Sequence, residues 1–188
     1  RTVACDANTR NKWDDMTTTN ALHPEGTDGH TALLAFIEGR SHDPFAIMGP
    51  HKIAGRNCVT VFDPAAQALS ALRDGKEHPL CPLPSVPGVF SGRAPGTGPN
   101  TLKATGEFED PYRFGPVLGE IDEYLLGEGT HLRLWTALGA HTMTHEGTEG
   151  THFAGWAPGA RRVSVVGDFN FWDGRRHQMR HRGGTGVW

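Results

Sequence analysis

The chain lacks most of the features that would place it at a glance. Its 188 residues include only three cysteines, Cys5, Cys58 and Cys81. They are odd in number, far apart and without a C-x-x-C pair, so neither a disulfide framework nor a zinc ribbon is indicated, and a reducing cytoplasm is the default location. The longest apolar run, residues 32–37, falls far short of the ~20 residues that cross a bilayer. No apolar core of the signal-peptide kind stands near the start, so no membrane partner is expected. Net charge is only −3, too small to imply a polyanionic partner for the whole protein. Glycine-rich stretches such as residues 183–186 lack the lysine of a phosphate-binding loop, and no helical pattern follows them.

Glycine and proline, by contrast, are plentiful, at 25 and 13 residues. They punctuate short apolar stretches, which favours an all-β fold of short strands and turns over a helical bundle. Hydrophobic residues make up 37%, and with the glycines this approaches the roughly 45–50% of an average globular chain, enough to bury a core.

Residues 1–30 are polar, unperiodic and begin at Arg1. They are read as a disordered leader, within which Met16 offers an alternative start and residues 1–15 a translated remnant. A short helix is expected over residues 32–37, capped by Thr31 and ended by Gly39. A strand is expected at residues 57–62, with weaker ones near 86–92 and 102–108, so residues 31–115 read as a small β-sandwich domain. Pro116 and the recurrence of Val117, Leu118, Ile121, Tyr124 and Leu125 predict an amphipathic helix over 117–126 within a helical connector, residues 116–149. In residues 150–188, Phe153 and Trp156 precede a Pro158-Gly159 turn. Arg162 to Val166 alternate as a half-buried strand does, and residues 169–174 put three aromatics on a loop closed by Asp173-Gly174. Residues 175–182 are a further strand candidate. Val187 and Trp188 have strand propensity, so the chain is expected to stop inside a strand, as a fragment with an unpaired, association-prone edge.

Several short matches occur in one order: Asp110-Pro-Tyr-Arg-Phe-Gly-Pro116, Glu128-Gly-Thr-His131, Leu138-Gly-Ala-His141, Trp156-Ala-Pro158, Arg161-Arg-Val-Ser-Val-Val-Gly167 and Phe169-Asn-Phe-Trp-Asp-Gly-Arg-Arg176. Together they resemble the N-terminal part of bacterial 1,4-α-glucan (glycogen) branching enzymes, over about residues 32–188 and most closely from Asp110 onward. The resemblance implies two immunoglobulin-like β-sandwich modules joined by a short helix, the second of the glucan-binding type and truncated at the C-terminus. It also implies an α-1,4-glucan or glycogen partner. The catalytic barrel, with its Asp nucleophile and Glu acid/base, is expected downstream in the same enzyme; no catalytic residue is carried onto this chain, which is expected to be inactive alone. Two positions depart from the family pattern, Gly155 where a bulky apolar residue is usual and His181 where an apolar one is, and each is expected to weaken a core strand.

Trp172 has two readings: a core residue under the Asp173-Gly174 turn, which the residues alone favour, or an indole face for the C–H surface of a sugar, which the resemblance favours. Substrate contacts are therefore assigned to Trp172, Phe171 and Asn170, while Trp156 and Phe169 are read as core. Arg161, Arg162, Arg175, Arg176, Arg180 and Arg182, with Phe171 and Trp172 as stacking faces, define the alternative of a nucleic-acid-binding β domain. Six arginines without lysines in a chain of net −3 weigh toward solvated strand edges instead. His141 and His145, with His131 and His152 near, have a metal-like spacing. Glycine and threonine around them argue against the helix that spacing needs, so neither metal nor cofactor is expected.

Overall fold

The computed structural model describes residues 29–53 and 55–188, in two compact units that meet between Arg113 and Phe114. The expected leader lies outside the described residues except for Gly29 and His30, which open helix α1 (Gly29–Ile37). The helix therefore begins before Thr31, the expected cap. Gly39, at a φ of 69°, ends it as foreseen, and the amides of Gly39 and Arg40 fold back onto the carbonyls of Phe36 and Ala35.

The first unit is a seven-stranded antiparallel sheet: β1 (Gly49–Ile53), β2 (Arg56–Phe62), β3 (Leu69–Arg73), β4 (Lys76–Pro82), β5 (Val89–Arg93), β6 (Asn100–Lys103) and β7 (Glu107–Glu109), in the order β1-β2-β5-β4-β3-β6-β7. Strand β4 makes the corner. Its first part pairs with β3, Leu80 facing Leu69, and its last two residues pair with β5, Cys81 facing Ser91 and Pro82 facing Phe90. A strand that changes partners in this way lets one sheet fold over itself. Gly92 is required at the crossing, because a Cβ there would lie 2.8 Å from the Pro79 carbonyl oxygen.

The alternation of β2 feeds two cores. Val59 and Val61, with Phe90 opposite, join Leu69, Ala71, Leu80, Ala94 and Leu102 inside the fold. Phe62 and Val89 lie on the other face and pack with Ala32, Leu33 and Phe36 of α1 and with Met48, Val86 and Tyr112. On that second face the buried hydroxyls of Thr60 and Ser91 satisfy each other at 3.0 Å. A polar chain is also sealed in. Arg73 donates to the Ala94 carbonyl at 2.7 Å and to Asn100 Oδ1 at 3.1 Å, while Asn100 Nδ2 donates to Asp110 Oδ2 at 2.9 Å. The Tyr112 amide donates to the other Asp110 oxygen.

The second unit contains α2 (Glu120–Gly127), α3 (Leu134–Ala137) and one hairpin, β8 (Gly139–His145) with β9 (Thr148–Ala154). Helix α2 begins four residues after Pro116, and its Ile121 and Tyr124 are exposed rather than part of a buried stripe. Leu126 instead packs beside Leu118, Ala137, Ala154 and Val187. Residues 139–149, expected within the connector, form β8 and the start of β9. Glu146 and Gly147 turn the hairpin with φ of 49° and 81°, the left-handed pair of a tight two-residue turn. Val187 and Trp188 are buried, and Trp188 exchanges both backbone bonds with Gly155, at 2.9 and 3.0 Å. The free edge expected at Val187 and Trp188 is thus paired. Gly155 leaves no packing defect, since a Cβ there would meet nothing within 4 Å, and His181 lies against the Trp188 ring at 4.8 Å.

Asp110 generates a pH prediction. Burial lifts its carboxyl from 3.8 to about 6, against the opposing hydrogen bonds from Asn100 and Tyr112. A raised folded-state pKa means that this group's contribution to stability is complete below pH 4 and is lost as pH rises through 6, by about 3 kcal/mol. Urea unfolding of wild type and Asp110→Asn across that range should show their stability difference changing by roughly that amount; a pH-independent difference would contradict it.

Candidate functional site

The aromatic loop is held between two short segments that pair locally. The strands expected at residues 162–166 and 175–182 are reduced to one bridge, Ser164 with Gln178. It is flanked by bonds from the Val165 amide to the His177 carbonyl and from the Met179 amide to the Val163 carbonyl, both 2.9 Å. The chain from Gly167 to Arg176 bulges out of this ladder. It turns through a 3-10 helix, Asp168–Asn170, and then through Phe171 and Trp172 at φ of 58° and 60°. Bulky side chains rarely occupy left-handed backbone, which costs on the order of 1–3 kcal/mol per residue and persists only where the surroundings impose it.

Asn170 imposes it. It is fully buried, and its Oδ1 accepts from the Gly167 amide at 2.9 Å. Its Nδ2 donates to the Val165 carbonyl at 2.8 Å and lies 3.0 Å from His177 Nδ1. Backbone bonds complete the turn, from the Trp172 amide to the Gly167 carbonyl at 3.0 Å and from the Asp173 amide to the Asn170 carbonyl at 3.1 Å.

The result is a display of rings. Phe169, Phe171 and Trp172 are exposed by 63, 76 and 67%. The Trp172 indole N–H donates to Asp168 Oδ1 at 2.9 Å, which fixes the ring without covering it. Arg176 lies over the Phe171 ring at 5.3 Å, and Phe169 meets the His177 ring edge-on at 5.2 Å. Asp173 accepts two guanidinium bonds from Arg175, at 2.9 and 2.7 Å, which hold its carboxyl below the ordinary range.

The sequence expectations divide here. Trp172 and Phe171 are on the surface together, as the sugar-contact reading needs. Asn170 is adjacent but directs its amide entirely into the protein. Trp156 and Phe169, expected as core, are solvent-facing; Trp156 is 65% exposed, with its indole N–H on the Thr185 carbonyl at 3.1 Å. Trp156 pairs through its backbone with Val187 in an isolated bridge and Phe169 lies in the 3-10 turn, and neither ring is covered. The sequence reading missed Asp168 and His177, for which the only signal was their closeness to the aromatic run.

His141, His145 and His152 occupy the hairpin, while His131 lies outside it with its Nε2 3.1 Å from Asp122 Oδ1. His141 faces His152 across β8 and β9, His141 Nε2 lies 3.0 Å from the Leu138 carbonyl and His145 Nε2 3.1 Å from that of Gly115. Burial, and then His141 and His145, push the pKa of His152 down. Among the described residues no group of three or more His, Cys, Asp or Glu is placed to hold a metal ion, and no helix is long and apolar enough to cross a membrane.

An all-β unit is thus followed by a unit built on one hairpin that exposes an aromatic loop. Residues 137–188 match the family model of carbohydrate-binding module 48 (isoamylase N-terminal domain), and residues 30–112 match that of the alpha-1,4-glucan branching enzyme GlgB N-terminal domain. Curated relatives agree. The chain is 51% identical over 156 residues to the 1,4-alpha-glucan branching enzyme GlgB of Roseobacter denitrificans, covering 78% of this chain and 21% of that enzyme. It is 49% identical over 170 residues to that of Cereibacter sphaeroides, covering 83% and 23%, and 48% identical over 165 residues to that of Rubrobacter xylanophilus, covering 84% and 22%. The chain belongs to the N-terminal region of the glucan branching enzyme family. It spans about a fifth of the length of the curated relatives it matches.

Replacing Asn170 by Ala should remove all three side-chain bonds and leave the Gly167 N–H and Val165 carbonyl without their partner. A loss of about 2–4 kcal/mol is expected for the second unit, read from the denaturant midpoint of its tryptophan signal; a variant as stable as wild type would show that the amide does not hold the loop.

Proposed function

We propose that this chain is the glucan-engaging part of a 1,4-α-glucan branching enzyme of glycogen synthesis. In this reading the chemistry, transfer of an α-1,4-glucan segment to a 6-hydroxyl, belongs to a catalytic domain of the same enzyme that this chain does not contain, and the location is cytoplasmic. The chain holds glucan near that chemistry without performing it. The observation that carries the reading is the exposed, hydrogen-bonded indole of Trp172 beside Phe171.

The physical case is simple. One face of a pyranose ring is a row of C–H groups, which gains by leaving water against an aromatic face. A ring already fixed by Asp168 loses little freedom on contact, so more of that gain appears as affinity. Trp172 and Phe171 supply the faces in this proposal. Asn170 contributes by holding them in place rather than by reaching a sugar hydroxyl. The arginine reading draws less support, because Arg175 is paired with Asp173, Arg182 with Glu123, and Arg176 lies over Phe171.

Native electrophoresis through glycogen should retard the wild-type chain, and Trp172→Ala should abolish the retardation while its unfolding midpoint stays close to wild type. Equal retardation of the two proteins would refute the assignment. The chain alone, given labelled glucan, is expected to form no new α-1,6 linkages; their appearance would place catalysis within it.

A further inference from the structure

The orientation of the Asn170 amide is fixed by its backbone partners. The Gly167 N–H is a donor, so the atom 2.9 Å from it is Oδ1, and the Val165 carbonyl is an acceptor, so the atom 2.8 Å from it is the amide nitrogen. Exchanging the two would set donor against donor at Gly167 and acceptor against acceptor at Val165. The same nitrogen lies 3.0 Å from His177 Nδ1. An amide nitrogen can only donate, so His177 Nδ1 accepts, and the ring is neutral with its proton on Nε2.

We propose that His177 is a positioning residue for the aromatic loop: its unprotonated Nδ1 holds Asn170, and through it the Phe171 and Trp172 turn, in the form that meets glucan, and protonation of that nitrogen releases the turn. The inference rests on the loop being the glucan-contacting surface. A protonated Nδ1 presents a donor to a donor, in contact with an amide that also supports two consecutive left-handed residues.

The surroundings of His177 favour the neutral ring. Burial, and then the cationic Arg176 next to it in the chain, push its pKa down. On its other side the Phe169 ring meets it edge-on, and the paired segment Val163-Ser164-Val165 carries no titratable side chain. The two carboxylates of the loop are engaged elsewhere, Asp168 by the Trp172 indole and Asp173 by Arg175. The sign follows: the loop keeps its form at neutral pH and above, and loses it as pH falls below the ordinary histidine value of about 6.5.

The test is the affinity of the 188-residue chain for glycogen between pH 8 and pH 5, in wild type, His177→Asn and Trp172→Ala. An asparagine oxygen can stand where Nδ1 stands and accept the same bond, but it does not take up a proton. Wild-type affinity should fall by about fivefold to tenfold across this range, the worth of one hydrogen bond. His177→Asn should bind more weakly than wild type at pH 8, for want of the ring that Phe169 contacts, and its profile should be flat. A flat wild-type profile, or parallel profiles in the two proteins, overturns the inference, while loss of binding in Trp172→Ala still leaves the loop as the site. Trp172→Ala binding like wild type overturns the site and this inference with it. The nitrogen-15 signal of His177 in the wild type at pH 8 gives a reading independent of any variant: an unprotonated Nδ1 is expected, and a protonated one contradicts the proposal.

Discussion

One buried amide holds the exposed part of this molecule in its shape. Asn170 has no contact with water, and its side chain joins three backbone or ring groups that would otherwise lack partners: the Gly167 amide, the Val165 carbonyl and His177 Nδ1. Consecutive left-handed residues as large as Phe171 and Trp172 do not hold that conformation on their own. The cost is met by a side chain that is polar, short and of one orientation. The first unit uses the same device for a different end, where Asn100 lies buried between Arg73 and Asp110 and joins β3, β6 and the start of the Tyr112 turn.

Display of the aromatic loop follows from this constraint. Three rings remain in water, which is normally unfavourable, and the loop bears that because its backbone is tied down independently of them. Trp172 is further fixed through its N–H. A surface of this kind suits a ligand that has apolar faces and no charge, and the two arginines of the loop are engaged with Asp173 and the Phe171 ring.

The all-β character and the aromatic loop are legible from punctuation and motif order, whereas the boundary expected at residue 150 falls inside β9 and leaves β8 in the connector. Four other features are not legible in this way. Strands β3 and β4 escaped notice because Leu69-Ser-Ala-Leu-Arg73 has helical composition and β4 carries Pro79 and Pro82, residues that usually argue against a strand. Yet the Asp74-Gly75 pair between them, at φ of 50° and 71°, was a hairpin signal in plain view. The hairpin β8–β9 was hidden by its histidines, threonines and glycines, which show little apolar alternation. Trp156 and Phe169 read as core because large apolar side chains are usually buried, whereas Trp156, bridged to Val187, and Phe169, in the 3-10 turn, both leave their rings exposed. Asn170 was read by its chemistry as a sugar ligand, and only the three-dimensional fold reveals that the backbone around it needs that chemistry first.

The most direct test of the account is a nitrogen-15 NMR titration of the indole N–H signals with a linear malto-oligosaccharide. The signal of Trp172, bonded to Asp168, should move with saturation while that of Trp188, buried and bonded to the Ala157 carbonyl, stays in place. Saturable binding that leaves Trp172 unmoved, or no binding by a folded chain, would contradict the claim that this loop is where the protein meets glucan.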